Sequence, residues 1–546
     1  MASLYEELKG NVNVYTMDHR GTGRSTLLDC VAAQATMSAS PSGGDIDVKE
    51  VGSCAEELEI KFGKDLSAFS ITSAATDIKT FITQFMAGSK TFVYGVSYGS
   101  ALVERLMHLQ TTEIIGYILD GVSTTSGADA KDGMYITNWD TNFGEVGDRF
   151  LAFCASDATC ASRFSSLSIQ DTLKKLSATN NGPCTSFSTY EQITSLRALV
   201  GIMLMSAQTR SLIAPLLYRL NRCDYELWDS ALSFSLIRDD SPLNQASEEA
   251  AFASTLLYYL IVFSEMWETP TPSYNMLQSR FDNVSISSGP ISAMHAQYCA
   301  FTKDNSTGCA KSTLYAASPI AYKKDKYWNV AATIPAQASV LIMSGKLDPQ
   351  TPHKYAKRLF KVLNGTKKEL VAFEYASHGT LFSTYVSDTA AASGAPTCGM
   401  SVLASYVANG GDLTKLDTSC VASLHLHFEP SPAVSKVLFH TSDAYDGKFV
   451  FDDEEDYNYE TEYKYRTPFI VMMIALAVLL LIAAGLCFRC QRRKSAEKAK
   501  TASATTTRTD RREHDSANAT ERMDSGVAAS PSATAGVYTA VEESRV

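Results

Sequence analysis

Two parts of the chain alternate between short apolar runs and amphipathic stretches. The apolar or alternating runs, which are typical of strands, cover residues 11–17, 91–94, 117–119, 338–343 and 369–374. The amphipathic stretches, in which apolar residues recur at helical spacing, cover residues 71–86, 100–110 and 352–363. Strands that alternate with helices are typical of a parallel sheet with crossover helices. The pattern therefore predicts an α/β fold.

A different pattern lies between these two parts. From about residue 125 to residue 330, helical runs such as 196–205 and 252–267 replace the strand pattern. The economical architecture is a helical insertion inside an α/β sheet. We therefore assign residues 1–125 and 331–442 to the two parts of an α/β core and residues 126–330 to a helical cap.

Near its C-terminus the chain has a run of 20 uncharged, mostly apolar residues, 469–488. As a helix this run is about 30 Å long, which is enough to cross a bilayer. Basic residues follow it and acidic residues precede it, so the positive-inside rule places the tail in the cytosol. We predict a single-pass type I protein of the cell surface or of a secretory, lysosomal or vacuolar membrane. Its last segments are an acidic stalk, a transmembrane helix and a disordered cytosolic tail, at 443–466, 467–488 and 489–546.

Cysteines and glycosylation motifs agree with an extracellular or lumenal location for the part before this run. Ten of the 12 cysteines precede the run, which suits disulfides in an oxidising compartment. Close spacing suggests four pairs and leaves a fifth, although spacing leaves other connectivities and free thiols open: Cys30–Cys54, Cys154–Cys160, Cys299–Cys309, Cys398–Cys420 and Cys184–Cys223. Three sequons on the same side predict glycosylation at Asn283, Asn305 and Asn364.

Charge and short motifs limit the partners. The formal net charge of −11 over 546 residues gives no support to nucleic-acid binding. The acidic residues 443–462 lack the spacing and the glycine of a calcium loop, and we predict neither a metal nor a cofactor. Ser544-Arg545-Val546 has the form of a PDZ-domain ligand, and Tyr538–Val541 resembles a sorting signal, but chance explains such short patterns better.

One predicted strand ends in a candidate nucleophile. Gly95-Val96-Ser97-Tyr98-Gly99 directly follows the apolar run at 91–94 and precedes the helical stretch at 100–110. A strand, a sharp turn and a helix are the context that a G-x-S-x-G nucleophile elbow requires, because the strained serine needs small neighbours. The alternative is a plain strand-to-helix turn. In an elbow, the N–H of Tyr98 is one of the two oxyanion donors.

A serine hydroxyl needs a base to remove its proton, and the base needs an acid to orient it. With this elbow, the chain order is Ser, then Asp or Glu, then His, with the acid and the base in loops after late strands. Asp348 follows the strand at 338–343, and His378 follows the strand at 369–374. We therefore predict the triad Ser97, Asp348 and His378.

Four other residues compete for these roles. Asp120 also follows a predicted strand, but the Gly121-Val122 that comes next favours a structural turn. His353 comes only five residues after Asp348 on a predicted helix, and His425 and His427 are distant from any junction between a strand and a loop.

Several motifs together resemble the α/β-hydrolase serine aminopeptidases, namely proline iminopeptidases and, more closely, secreted tripeptidyl aminopeptidases. They are Asp18-His19-Arg20-Gly21-Thr22-Gly23-Arg24-Ser25, the elbow at Ser97, Leu119-Asp120-Gly121-Val122, and the segments 345–352, 377–379 and 398–420. The resemblance covers about residues 11–425. It implies an α/β-hydrolase fold with a helical cap, and peptide hydrolysis from a free amino terminus through an acyl-enzyme.

The resemblance also implies a group that holds the substrate ammonium. Glu265 matches the acidic position in the cap of this family, and an exposed helical glutamate is the alternative. The chain departs from the family upstream of Asp18, where the family has a glycine-rich loop that supplies the second oxyanion donor. The 17 residues before Asp18 contain neither this loop nor a signal-peptide core, so we expect that the sequence lacks its true beginning. The competing functions are a lipase or esterase of the same fold and a catalytically silent adhesion or receptor ectodomain.

Overall fold

A parallel sheet organises the chain, as the alternating pattern predicts. The computed structural model describes residues 2–30, 46–129, 132–178, 190–224, 253–309, 318–387, 390–391, 393–448 and 535–540. Within these residues the sheet has six strands, all parallel, in the order β1-β6-β2-β3-β4-β5. The strands are β1 (Val12–Tyr15), β2 (Thr91–Ser97), β3 (Ile114–Val122), β4 (Ser339–Gly345), β5 (Lys368–Phe373) and β6 (Ala535–Ala540).

Helices connect the strands and fill the segment between β3 and β4. Those that precede or separate the first strands are α1 (Ala2–Glu7), α2 (Val51–Phe62), α3 (Ile71–Phe85) and α4 (Tyr98–His108). The helical insertion between β3 and β4 contains α5 (Trp139–Ser156), α6 (Ala158–Arg163), α7 (Ile169–Leu176), α8 (Tyr190–Met205), α9 (Ile213–Asn221), α10 (Thr255–Glu265), α11 (Tyr274–Asp282) and α12 (His295–Thr302). After β4 come α13 (His353–Val362), α14 (Thr380–Ser383), α15 (Cys398–Ala408) and α16 (Pro432–Phe439).

The sheet lies between two apolar layers, and alternate side chains of each strand enter opposite layers. On β2, Phe92 and Tyr94 pack with residues of α1 and α15, whereas Val93 packs with residues of α3, α4 and α13. Every residue of β2 and β4 is buried. Burial on both faces explains why these strands appear in the sequence as continuous apolar runs.

The helical insertion has an apolar core of its own, and the segment after α15 joins it. Phe428, Leu438, Phe439 and Tyr445 are buried among residues of α5, α7, α8 and α9. The predicted core segment 331–442 therefore does not pack as one unit, because its last part belongs with the insertion.

The predicted stalk does not begin as an extended segment. The buried guanidinium of Arg219 donates to the carbonyl oxygens of Asp443, Ala444 and Gly447 at 3.0, 2.6 and 2.7 Å. Asp446 accepts hydrogen bonds from three side chains of the insertion, namely Arg163, Tyr218 and Arg222. The expectation of a self-repelling stalk from residue 443 is wrong for 443–447, because the basic residues that offset its acids are distant in sequence.

The predicted cytosolic tail contributes one strand to the sheet. Residues 535–540 form β6 between β1 and β2, with Tyr538 in register with Tyr15 and Val93. Disorder is thus the wrong expectation for these six residues, which include Val, Tyr and Thr and have ladder partners on both sides. The predicted transmembrane run at 469–488 lies outside the described residues. Across the described ranges, no helix combines the length and the apolar character that a bilayer crossing needs.

Four predicted disulfides are confirmed within the described chain: Cys30–Cys54, Cys154–Cys160, Cys299–Cys309 and Cys398–Cys420. Cys223 is also disulfide-bonded, but Cys184, its predicted partner, lies outside the described residues. The three sequon asparagines, Asn283, Asn305 and Asn364, are exposed, as an attached glycan would require. Their glycosylation stays a prediction.

Candidate active site

Ser97 is the last residue of β2, and α4 begins at the next residue. Its backbone has φ 56° and ψ −125°, a strained conformation for a residue with a side chain. A Cβ added to Gly95 would lie 2.1 Å from the carbonyl oxygen of Gly99, so this turn has no room for a larger residue at position 95. The strand, the sharp turn and the helix of an elbow are therefore all present.

The elbow is tied to the end of β3. Ser100 Oγ donates to the carbonyl oxygen of Ser97 at 2.6 Å and accepts from the N–H of Ser123 at 2.8 Å. Ser97 is itself paired in register with Val122 on β3. The N-terminal turn of α4 contains the N–H of Tyr98, and the first N–H groups of a helix favour a developing negative charge.

Asp348 lies in the loop that follows β4 and is fully buried. Its Oδ1 accepts from the N–H groups of Gln350 and Thr351, both at 2.9 Å. Its Oδ2 accepts from Thr351 Oγ1 at 2.6 Å and lies 2.8 Å from Nδ1 of His378. Burial by itself raises the pKa of Asp348, but His378 and the donors of Thr351 outweigh it and hold that pKa below its ordinary value. The carboxylate is thus ionised at neutral pH.

His378 lies in the loop that follows β5, and its side chain is 16% exposed. Because Nδ1 faces Asp348, Nε2 is the ring nitrogen that can exchange a proton with a nucleophile. Gly121 on β3 has φ +57°, and a Cβ there would lie 3.1 Å from Cε1 of His378 and 2.9 Å from Thr351 Oγ1. The imidazole therefore rests against the backbone of β3, where a side chain would displace it.

The three predicted triad residues lie at one edge of the sheet. Ser97 ends β2, Asp348 follows β4 and His378 follows β5. The carboxyl ends of parallel strands share one edge of the sheet. Ser97 is in register with Val122. Gly121, the residue before Val122, lies against His378. Ser97 and His378 thus both lie beside the end of β3.

Asp120 was expected to lie in a structural turn, and that expectation is wrong. It lies within β3, fully buried. Its carboxylate accepts four hydrogen bonds, each at 2.9 Å, from Tyr94 Oη, Thr380 N, Thr380 Oγ1 and Leu381 N. The signal in the sequence was an acidic residue at the end of an otherwise apolar run, since a buried carboxylate must find donors.

The Asp18–Ser25 motif lies beside the elbow. His19 Nε2 is 3.0 Å from Oη of Tyr98, and the two rings meet edge to face at 5.7 Å. The motif is closed by the carboxylate of Asp18, which accepts from the N–H of Arg24 at 2.8 Å. A Cβ on Gly23 would lie 2.4 Å from Cγ of Asp18. The glycine in the motif thus permits a tight loop that places His19 against the residue after the nucleophile.

Glu265 ends α10 of the insertion and is 3% exposed, so the exposed alternative is wrong. Its Oε2 lies 2.7 Å from Nη2 of Arg105, which is on the elbow helix α4, and its Oε1 accepts from Tyr322 Oη at 2.8 Å. Arg105 also faces Asp325 at 3.5 Å. Two carboxylates therefore face one guanidinium where the insertion meets α4, and Lys324 lies close enough to Glu265 for their charges to interact.

The competing histidines are placed elsewhere. His353 begins α13, and its Nδ1 lies 3.1 Å from Ser344 Oγ. His425 and His427 face each other, with ring centroids 6.4 Å apart. Within the described residues, one cluster has the spacing of metal ligands: His295 with Cys299 and Cys309. Because its two sulfurs form a disulfide, they are not thiolate ligands.

Comparisons with known proteins add no relative to this geometry. No protein-family model matches the chain, and no curated protein matches its sequence. The resemblance to serine aminopeptidases therefore stays a prediction, and the case for an enzyme depends on the site itself.

Proposed function

We propose that this protein is a serine aminopeptidase with an α/β-hydrolase fold, in which the helical insertion is the cap. The observation that supports it most is the combination at one sheet edge of a strained Ser97 and a buried Asp348 hydrogen-bonded to His378. A strained serine and an acid-oriented imidazole have little purpose in a purely structural role.

The reaction follows from the roles of these groups. His378 Nε2 takes the proton of Ser97 as the hydroxyl attacks a peptide carbonyl, and Asp348 stabilises the imidazolium that forms. The N–H of Tyr98 donates to the oxyanion. His378 then gives its proton to the leaving amine, and a water molecule, activated by the same imidazole, hydrolyses the ester on Ser97. The C–N bond of the peptide is broken, the products are the amino-terminal fragment with a new carboxylate and the shortened peptide with a new amine, and the enzyme is regenerated.

Preference for a free amino terminus requires a negative charge near the site. We propose that the cluster of Glu265, Asp325 and Arg105 supplies it, because Glu265 and Asp325 bring two carboxylates to a single guanidinium. Tyr322 links this cluster to the elbow, since it donates to Glu265 and lies close enough to Tyr98 for the two to interact electrostatically. A substrate ammonium bound beside Glu265 would thus have its peptide chain directed toward the elbow.

Cleavage of matched peptides tests the proposed activity. The full chain, incubated with a peptide that has a free amino terminus and with its acetylated twin, is expected to cleave only the first. Ser97→Ala is expected to cleave neither. Equal cleavage of both peptides would exclude an aminopeptidase, and turnover of acyl esters without peptide cleavage would indicate the lipase or esterase. No turnover of any substrate would favour the silent ectodomain.

The role of the acidic cluster is tested by Glu265→Gln, which keeps the shape of the side chain. An ammonium anchor is lost in this variant, so the preference for free over acetylated termini is expected to fall about 10-fold or more. If Glu265 only connects the insertion to α4, cleavage of every substrate falls by the same factor and the preference is unchanged. The ratio of the two rates therefore distinguishes a binding role from a structural one.

We also propose attachment to a membrane through residues 469–488, because of their length, apolar character and basic flank. A single crossing there would place residues 535–540 on the opposite side of the membrane from β1 and β2, whereas β6 pairs with both. The two arrangements exclude each other in one molecule. An epitope tag after Val546 decides between them: detection only in permeabilised cells supports the crossing, and detection on intact cells contradicts it.

A further inference from the structure

Asp120 is a buried carboxylate that takes no part in the proposed chemistry. All four groups that donate to it are neutral: two backbone N–H groups and two hydroxyls. Each of its oxygens accepts from one backbone N–H, Oδ1 from Thr380 and Oδ2 from Leu381. Burial raises the pKa of Asp120, and bonds from Leu381, Thr380 and Tyr94 act against that rise. A carboxylate this deep is retained only where its donors need it.

The groups that donate to Asp120 come from the strand of the proposed nucleophile and from the loop of the proposed base. Tyr94 is on β2, three residues before Ser97, and Thr380 and Leu381 begin α14, directly after the His378-Gly379 turn. Asp120 thus connects the strand of the nucleophile to the loop of the base. Gly379 has φ +69°, and a Cβ there would lie 3.6 Å from Val96 Cγ2, so the same turn also packs against β2 beside the serine.

We propose that Asp120 is a positioning residue that sets the location of the His378 imidazole relative to the Ser97 hydroxyl. It does so by fixing the first turn of α14 to the sheet, while the neighbouring Gly121 gives the ring a flat backbone surface to rest on. This inference rests on the proposed serine chemistry. Asp120 differs from Asp348 in that it contacts the loop of the histidine, whereas Asp348 contacts the ring itself.

An amide cannot replace this carboxylate. Asparagine offers one acceptor oxygen and one NH₂ donor, so in either orientation its NH₂ faces the backbone N–H of Thr380 or of Leu381. A backbone N–H cannot reorient, so one buried donor loses its acceptor and the first turn of α14 must shift. A displacement of about 1 Å at a catalytic group costs about 100-fold in rate.

Asp140 provides a matched control. It too is a fully buried carboxylate that accepts from one hydroxyl, Ser287 Oγ at 2.6 Å, and one backbone N–H, that of Ile291 at 3.1 Å. Burial raises the pKa of Asp140, to about 6. Asp140 lies in α5 of the insertion, so Asp140→Asn removes a buried carboxylate without touching the loop of His378. Its amide oxygen can still accept from Ile291, and the Ser287 hydroxyl can reorient toward its NH₂.

The experiment compares the full chain with Asp120→Asn and Asp140→Asn. It measures the melting temperature, the second-order rate of labelling by a fluorophosphonate, and kcat and KM on the free peptide. We expect Asp120→Asn to lower the labelling rate and kcat about 10- to 100-fold, with KM changed less than about twofold. Asp140→Asn is expected to be labelled at the wild-type rate, even if its melting temperature falls by as much as that of Asp120→Asn.

The remaining outcomes separate this inference from the proposed function. Wild-type labelling in Asp120→Asn, or an equal loss in Asp140→Asn, overturns the positioning role and leaves the serine chemistry intact. A wild-type chain that is not labelled at all overturns both. If Asp120→Asn does not fold, Thr380→Val and Tyr94→Phe each remove one donor and keep the carboxylate. Each is expected to slow labelling about two- to tenfold, and an unchanged rate in both contradicts the proposal.

Discussion

The carboxyl edge of the sheet and the helical insertion use buried charge in different ways. At the edge, the carboxylates of Asp120 and Asp348 are held largely by backbone N–H groups and hydroxyls, and Asp348 also pairs with the imidazole of His378. In the insertion, the guanidinium of Arg219 donates to carbonyl oxygens of a segment more than 200 residues away. Buried charge at the edge thus holds the strands and loops of the proposed triad, whereas Arg219 connects the insertion to the 443–447 segment.

This difference predicts two classes of variant. Substitutions at the edge should change rates much more than stability, and substitutions in the insertion should do the reverse. Glu265 belongs to both regions, because it lies on the insertion and pairs with Arg105 of the elbow helix. The variants below are ordered from the largest expected effect to the smallest.

The largest effect is expected from Asp348→Asn. Without the carboxylate, His378 loses both the partner that fixes its tautomer and the charge that stabilises the imidazolium. We expect kcat on a free peptide to fall about 10⁴-fold, with KM little changed. A loss below tenfold, measured on protein that melts normally, would mean that another acid orients the histidine.

A smaller but clear loss of rate is expected from Gly121→Ala. The new Cβ would lie 3.1 Å from Cε1 of His378, and the φ of +57° is unfavourable for alanine. We expect kcat to fall about 100-fold, because the imidazole must move away from its place against β3. Gly127→Ala is the control, since that glycine also has a positive φ, of 60°, but nothing lies within 4 Å of the added atom. It should lose a little stability and no activity.

Arg219→Ala tests the opposite class. It removes the donors of three carbonyl oxygens in the 443–447 segment, so we expect the free energy of unfolding to fall by about 1–3 kcal/mol. Ser97 in the folded fraction should still be labelled at the wild-type rate. Arg222→Ala is the control, because its pair with Asp446 is exposed and worth about 0–1 kcal/mol. If Arg219→Ala changed the labelling rate strongly and left stability unchanged, it would contradict the distinction between the edge and the insertion.

The smallest effect near neutral pH is expected from His353, whose contribution to stability changes only on acidification. Burial, followed by the positive charges of Lys357, Lys346 and Arg149, lowers the pKa of His353 to about 4. The unfolded chain therefore binds a proton near pH 6.5 that the folded chain takes up only near pH 4, so stability falls as pH drops through this window. In denaturant titrations, His353→Gln should lose less stability than wild type between pH 6.5 and pH 4. Parallel pH curves for the two proteins would contradict this account.

Local features of the sequence predicted strands β1 to β5, the elbow and the helical insertion, because periodicity and turn residues are local. The disulfides at close spacing were accessible for the same reason. Tertiary partners were not: Arg105 and Glu265 are 160 residues apart, and nothing near Glu265 in the sequence indicates that its charge is matched. The same holds for Arg219, which keeps residues 443–447 from extending into solvent.

Asp120 was misassigned for a different physical reason. An Asp-Gly pair after an apolar run usually marks a turn, since glycine adopts a positive φ easily. Here the positive φ of Gly121 occurs inside β3, where it makes room for His378 and Thr351. The reason for that conformation is the contact with the loop after β5, which is distant from Gly121 in the sequence.

The central claim is that Ser97 is a nucleophile activated by His378. Its most direct test is to treat the full chain with a fluorophosphonate and to map the adduct by peptide mass spectrometry. The account predicts one phosphonyl group per chain, on Ser97, and a greatly reduced rate of labelling in His378→Ala. An adduct on another serine, or labelling of Ser97 at an unchanged rate without His378, would contradict it.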